Sequence, residues 1–222
     1  MTASQATDKT KIVLIDDHAV VRRGMAAIIN DEPDLLVIGE ADGMRSALEL
    51  IERVQPQVAL VDLAISDGDG LELIKEIRKR WKDVLVLVLS MYDESVYAER
   101  SIRAGARGFV MKAEAATAVL DAIRAVLADE IYLSPQMREK LPDNKPANAP
   151  ADRSGLLGQL TDRELQVLRC IGRGLSAHEI GEELFISAKT VEVHREHIKH
   201  KLNLPTSGDL LRYAIEHNRI QG

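Results

Sequence analysis

One cysteine, Cys170, stands in 222 residues, which excludes a disulfide framework and any multi-cysteine zinc site. Aromatic residues make up only 3%, so a core has to be built from Leu, Ile, Val and Ala. No apolar run approaches the roughly 18 residues that a membrane-spanning helix needs. The opening MTASQATDKTK lacks the apolar stretch of a secretory leader, and no G-x-x-x-x-G-K-[ST] phosphate loop occurs. The expectation is a cytoplasmic protein with no membrane contact. Hydrophobic residues at 45% and charged residues at 29% give a globular balance, and the length suits one large domain or two small ones.

The net charge of −6 is unevenly spread. From Leu156 to Gly222 nine Lys/Arg meet nine Asp/Glu, so this part is neutral, and the rest carries 20 basic against 26 acidic residues. Five of the six histidines (178, 194, 197, 200 and 217) fall in the neutral part, which can turn cationic near their unperturbed pKa. Two modules with different tasks are expected.

Short apolar runs appear at 11–15 (KIVLI), 35–38 (LLVI), 58–61 (VALV), 84–89 (VLVLVL) and 108–111 (GFVM). Such continuous runs suit strands buried on both faces. Amphipathic stretches separate them; in GLELIKEIRKRW, Leu71, Ile74 and Ile77 share one helical face and Lys75, Arg78 and Lys79 another. This alternation predicts a parallel five-stranded sheet with helices on both sides, its crossovers right-handed and its strand ends at one edge. From Tyr132 to Gly155 the chain holds four of the seven prolines and reads as a mobile linker around Pro142, Pro146 and Pro150, with Arg138, Lys140 and Lys145 as linker charges. Beyond Leu160 the pattern is helical: Thr161–Glu164 and Ser176–Glu179 are capping boxes, Ser187 is a third cap, and Gly174 is a stop. The boundaries are therefore set at 9–130, 131–157 for the linker, and 158–222.

In an open α/β sheet the ligand site lies beyond the carboxyl ends of the strands. Asp16 and Asp17 follow the first run, Asp62 the third, Ser90 ends the fourth and Lys112 follows the fifth. Three carboxylates at one place repel unless a cation neutralises them, and an all-oxygen site of this kind suits Mg²⁺. Asp67 and Asp69, within DGDG, read as turn residues.

These residues carry a resemblance. IDDH at 15–18, VDLAISDGDG at 61–70, LS at 89–90 and GFVMK at 108–112 make the first module similar to the receiver domain of a two-component response regulator. The resemblance implies a flavodoxin-like, doubly wound α/β fold. It makes Asp62 the phosphoacceptor for a sensor histidine kinase, with Mg²⁺ held by Asp16, Asp17, Asp62 and the backbone carbonyl of Ala64. Lys112 then contacts the phosphoryl oxygen, and Ser90 and Phe109 form the switch pair. Ser66 stands where the family usually has proline, and Phe109 where tyrosine is common. Ala64 has no side chain to orient an attacking water, and Tyr92 is bulky enough to cover the acyl phosphate, so a long-lived phosphoryl state is expected.

In the last module, residues 187–202 (SAKTVEVHREHIKHKL) place Val191, Ile198 and Leu202 on an inward stripe. Lys189, Glu192, Val193, Glu196, Lys199 and His200 face outward, where a helix can enter the major groove. Thr190, His194, Arg195, His197 and Lys201 are placed to reach phosphates or flank the groove. The string from Leu160 to Leu202 resembles the LuxR-type helix-turn-helix, making the whole chain similar to a NarL/FixJ-type regulator that binds double-stranded DNA. Glu192 and Glu196 stand where basic residues are often base-facing. They either read cytosine amino groups, or buttress Lys189 and Lys199/His200 across one turn. Histidines 194, 197 and 200 are loosely spaced like metal ligands but drift around the helix with no Cys or acidic partner obvious nearby, and read as solvated or phosphate-facing. A homodimer is expected on phosphorylation, because one small helix-turn-helix reads few bases.

Two other readings fit less well. An Asp-nucleophile phosphatase needs an acid two residues past Asp62, where Ala64 stands. The other is a receiver with a protein- or RNA-binding output; RNA readers usually present stacking aromatics, and the last module offers only Phe185 and Tyr213. The chain is thus read as a regulator rather than an enzyme, apart from phosphoryl transfer to and hydrolysis from Asp62.

Overall fold

The computed structural model describes residues 9–140, 155–184 and 186–219. Pro142, Lys145, Pro146, Pro150 and Phe185 lie outside them. The α/β part and the last helices form two compact units.

In the first unit the strands are β1 (Thr10–Ile15), β2 (Leu35–Ala41), β3 (Val58–Val61), β4 (Ala64–Ile65), β5 (Gly68–Asp69), β6 (Leu85–Ser90) and β7 (Gly108–Met111). The helices are α1 (Ala19–Asn30), α2 (Met44–Val54), α3 (Gly70–Arg80), α4 (Glu94–Ala104), α5 (Ala115–Leu127) and α6 (Pro135–Lys140). The main sheet has five strands in the order β2-β1-β3-β6-β7, every pair parallel. All five expected runs are strands, and the doubly wound order reverses between β1 and β3, where a crevice opens at the strand ends.

The sheet is buried on both sides because its residues are apolar at both parities. Ile12, Leu14, Val58, Leu60, Leu87, Leu89 and Val110 pack with Ile29 of α1 and with Val119, Ala122, Ile123 and Val126 of α5. Their neighbours Val13, Ile15, Ala59, Val61, Val86 and Val88, also buried, point to the opposite face. Each fully buried aliphatic side chain there contributes about 1.5–3 kcal/mol.

Asp67 and Asp69 do more than turn the chain. The small antiparallel hairpin of β4 and β5 carries both. Asp69 caps α3, accepting from the amides of Leu71 (2.9 Å) and Glu72 (3.2 Å). Asp67 caps a different helix: it accepts from Met44 N and from Arg45 N (3.2 Å) at the start of α2. Gly43, at the N-cap of α2, has no side chain to do this, and a Cβ there would collide with the Asp67 carboxylate. Gly70 is likewise obligatory, since a Cβ would run into the backbone carbonyl of Asp62.

The expected linker begins later than residue 131. Tyr132 forms a parallel bridge with Gly108, accepting from Phe109 N (2.9 Å) and donating to Arg107 O (3.0 Å). Leu133 and Met137 are buried, and α6 follows. Tyr132 thus extends the sheet edge by a single residue, and α6 follows it; a bridge this short has no hydrophobic alternation to announce it.

The second unit has a 3₁₀ turn (Gly155–Gln159), then α7 (Asp162–Gly172), α8 (Ala177–Glu183), α9 (Ala188–Lys201) and α10 (Ser207–Arg219). Both expected capping boxes form, Thr161 accepting from Glu164 N and Ser176 from Glu179 N, and Ser187 caps α9 through Thr190 N. Gly174 has φ +83°, the left-handed conformation that ends a helix at little cost for glycine. Val191, Ile198 and Leu202 are buried, so the inward stripe of α9 lies where its spacing puts it. No described helix is long and apolar enough to cross a membrane.

Candidate functional site

The crevice at the ends of β1, β3 and β7 gathers Asp16, Asp62 and Lys112. Asp16 and Asp62 are buried, at 4% and 2% exposure. Lys112 lies in the 3₁₀ turn following β7, and its Nζ is 2.6 Å from Asp16 Oδ2 and 2.6 Å from Asp62 Oδ2. One ammonium therefore answers two buried carboxylates, leaving a net negative charge. Asp62 Oδ1 is buried without a hydrogen bond of good geometry, although the Ala64 amide is close enough to favour the ionised form.

The electrostatics reflect this imbalance. Burial pushes the Asp62 carboxyl up to about 6; Lys112 pulls it down, and the like charge of Asp16 pushes it up again. Burial alone would lower the Lys112 pKa, but Asp62 and Asp16 outweigh it and hold the ammonium above the usual lysine value. A buried acid that is costly to ionise and holds an unpartnered oxygen is a receptor for positive charge.

Asp17 sits at the rim, with its side chain 33% exposed. Its Oδ1 is 2.5 Å from His18 Nδ1, which also lies 3.3 Å from Asp16 Oδ1. Asp16, Asp17, His18 and Asp62 bring their ligand atoms within 4.8 Å of one another. The sequence predicts an all-oxygen set of metal ligands here; His18, the last letter of IDDH, joins the carboxylates because α1 begins immediately after it. Arg22, too, gives no local signal in the sequence. One helical turn into α1, it donates to the Asp16 backbone carbonyl (2.5 Å) and to Glu40 (3.1 Å), tying α1 to the ends of β1 and β2. Ser90 is fully buried at the end of β6, and the Phe109 ring is 1% exposed, turned into the protein. Asp16, Asp17, Asp62, Ser90 and Lys112 thus lie at or just beyond strand ends, whereas Phe109 is the second residue of β7 and Ala64 opens β4.

On the second unit, Lys189, Thr190, Glu192, Val193, Glu196 and His197 are exposed on α9 as their spacing predicts, Val193 to 46%. Glu192 pairs with Arg195 (3.2 Å), not with Lys189, and Glu196 pairs with Lys199 (2.9 Å). His194 and Arg195 are half-buried. Lys201 is turned back onto α7, with its Nζ 2.7 Å from the buried carboxylate of Glu164. It is thus an internal strut of the helical unit, a role hidden by the separation of the two residues along the chain. The same Glu164 oxygen accepts from Thr161 N (2.7 Å).

Comparison with known proteins agrees with both halves. Residues 12–124 match the model of the response regulator receiver domain, and residues 158–214 that of the bacterial regulatory proteins of the luxR family. The chain is similar to the oxygen regulatory protein NreC of Staphylococcus carnosus, 35% identical over 93% of this chain and 97% of that one. It is also similar to NreC of Staphylococcus aureus strain JH9, 34% identical over 95% and 99%. Among solved structures, a LuxR-family response regulator from Aurantimonas sp. SI85-9A1 is 30% identical with a TM-score of 0.56, covering 60% of this chain and 94% of that one. RcsB from Salmonella enterica serovar Typhimurium, bound to promoter rprA with the phosphomimetic BeF3-, shares the fold at 23% identity and a TM-score of 0.72, covering 93% and 98%. With a receiver at one end and a LuxR-type helix-turn-helix at the other, this chain belongs to the DNA-binding two-component response regulators.

Proposed function

We propose that this chain acts in the cytoplasm, that Asp62 is the phosphoacceptor, that a sensor histidine kinase supplies the phosphoryl group, and that the phosphorylated chain dimerises and binds promoter DNA through α9. The observation that most supports the first step is Lys112 Nζ at 2.6 Å from both Asp16 and Asp62, beside the unpartnered Asp62 Oδ1. An Asp62 oxygen attacks the phosphorus, the P–N bond to the donor histidine breaks, and an acyl phosphate forms. Lys112, 2.6 Å from Asp62 Oδ2, is within reach of the new phosphoryl oxygens, and the receiver resemblance gives Ser90 a further one. Asp16, Asp17, Asp62 and the Ala64 carbonyl fit Mg²⁺, being hard oxygen donors around an excess of negative charge. Bound there, Mg²⁺ neutralises phosphoryl oxygens in transfer. Asp17 has to exchange its contact with His18 to take part. Ala64 presents no polar side chain to hold a hydrolytic water, which supports slow loss of the phosphoryl group.

For DNA recognition, Lys189, Glu192, Val193 and Glu196 form the base-facing surface, with Thr190, His194, Arg195 and His197 at its flanks. Lys201 contributes mainly by holding α9 in place. The receiver reading extends over 9–140, and the helix-turn-helix over 158–222.

The test is selection from random duplex DNA by the full-length protein, with and without Mg²⁺ and beryllofluoride. A two-fold symmetric motif enriched only with the mimic is the expected outcome. Equal enrichment in both conditions would refute phosphoryl control of DNA binding, and no enrichment would refute the DNA reading. Glu192→Ala should change the selected motif; an unchanged motif would show that Glu192 only supports Arg195.

A further inference from the structure

We propose that Glu164, His194 and His197 form a second cation site, distinct from the strand-end pocket, selective for a borderline-soft divalent ion of the Zn²⁺ class. Their ligand atoms lie within 4.8 Å of one another. The site joins the first turn of α7 to the middle of α9, so its acidic member is invisible to a reading of α9 alone. His194 and His197, three residues apart on one helix, present their rings on neighbouring positions of a single face. His200, one turn further along, is not part of the group.

Two features point to a ligand. His194 Nδ1 is buried with no hydrogen-bond partner, a deficit that an ion coordinated through this nitrogen would make good. Glu164, 3% exposed, uses Oε2 for Lys201 and Thr161 N, and its other oxygen, Oε1, faces His197 Nδ1 at 3.8 Å. That oxygen can bind a cation without breaking either existing bond. Tetrahedral coordination with bonds of about 2.1 Å sets ligand atoms about 3.4 Å apart. The adjustment falls on His197, whose side chain is 60% exposed and free to move. Burial holds His194 below the usual histidine pKa, keeping the imidazole neutral and able to ligate. Two imidazoles and a carboxylate leave a fourth position for water, the donor set of a three-ligand zinc site. The Lys201 ammonium beside Glu164 works against the ion and weakens the site without abolishing it.

Neither phosphorylation nor DNA enters this inference, and the test needs neither. The full chain, saturated with Mg²⁺ to fill the strand-end pocket, is titrated with Zn²⁺ by calorimetry and with Co²⁺ by visible absorption. One equivalent of Zn²⁺ should bind, with Co²⁺ giving the strong visible bands of tetrahedral coordination. His197→Ala and His194→Gln should each weaken binding at least about tenfold while leaving the metal-free melting curve close to wild type. Lys201→Gln should tighten it several-fold, an effect that a purely structural Glu164–Lys201 pair has no means to produce. Absence of a Zn²⁺ equivalent would overturn the site, as would affinity indifferent to both histidine substitutions.

Discussion

Asp62→Asn should make the metal-free protein more stable while removing its capacity to take a phosphoryl group. Asp62 has a folded pKa of about 6 against an ordinary value of 3.8. The folded state therefore binds more protons than the unfolded one between these values. Stability falls as pH rises through this window, and above about 6 the penalty is constant at roughly 3 kcal/mol, taking 1.36 kcal/mol for each pKa unit. Asparagine removes that penalty, less whatever Lys112 loses; the loss is limited because Asp16 holds the same ammonium at 2.6 Å. Calorimetry in EDTA at pH 8 should show the receiver transition raised by roughly 5–10 °C, with the gain shrinking toward pH 4. Mg²⁺ should raise the wild-type transition and leave the variant unmoved. In parallel, labelled acetyl phosphate should mark the wild-type chain, with the label surviving for minutes, and mark the variant not at all. A variant that still takes label, or that melts lower at pH 8, would refute the assignment, and loss of wild-type label within seconds would refute the slow-hydrolysis reading.

Glu164→Ala should produce the largest loss of stability in the helical unit. Burial pushes this carboxyl up, but the Lys201 hydrogen bond and the bonds to Thr161 outweigh it and hold the pKa below the usual range. Truncation strands Lys201, whose side chain is only 32% exposed, and removes half of the α7 capping box. Breaking a buried pair from one side costs about 3 kcal/mol, which lowers the transition of a unit this small by roughly 10–20 °C. Glu164→Gln keeps an oxygen for Thr161 N and should fall between the two. Because the folded pKa is depressed, the contribution is complete above the ordinary value of 4.5 and disappears as pH falls below it. Thermal melts at pH 7 and pH 3.5 check this; a pH-independent difference would assign the effect to packing alone.

What the sequence revealed follows the range of the interactions involved. The five strands are continuous aliphatic runs, the helix starts are three- and four-residue capping motifs, and each residue of the acidic pocket ends a strand. All of these are local signals. The misses are long-range. Asp67 looks like one half of a turn, yet its carboxylate serves α2, whose own cap position, Gly43, has no side chain. Lys201 looks like a phosphate contact until α7 is folded against it. Residues 131–140 look like linker because a single bridge to Gly108 leaves no periodicity. His18 directly follows the two aspartates in sequence, but only the turn into α1 brings its ring against Asp16 and Asp17.

The bridge at Tyr132 has a mechanical consequence. Its carbonyl accepts from Phe109 N and its amide donates to Arg107 O, so the chain is laced to the backbone on both sides of Gly108 as it departs from the sheet. A Cβ at Gly108 would press on Tyr132, so the two segments are as close as backbones allow. Phe109 and the outgoing chain are thus coupled in series, like links under tension with no slack between them. A displacement of β7 at the strand-end pocket therefore has a backbone route to Tyr132 through two hydrogen bonds.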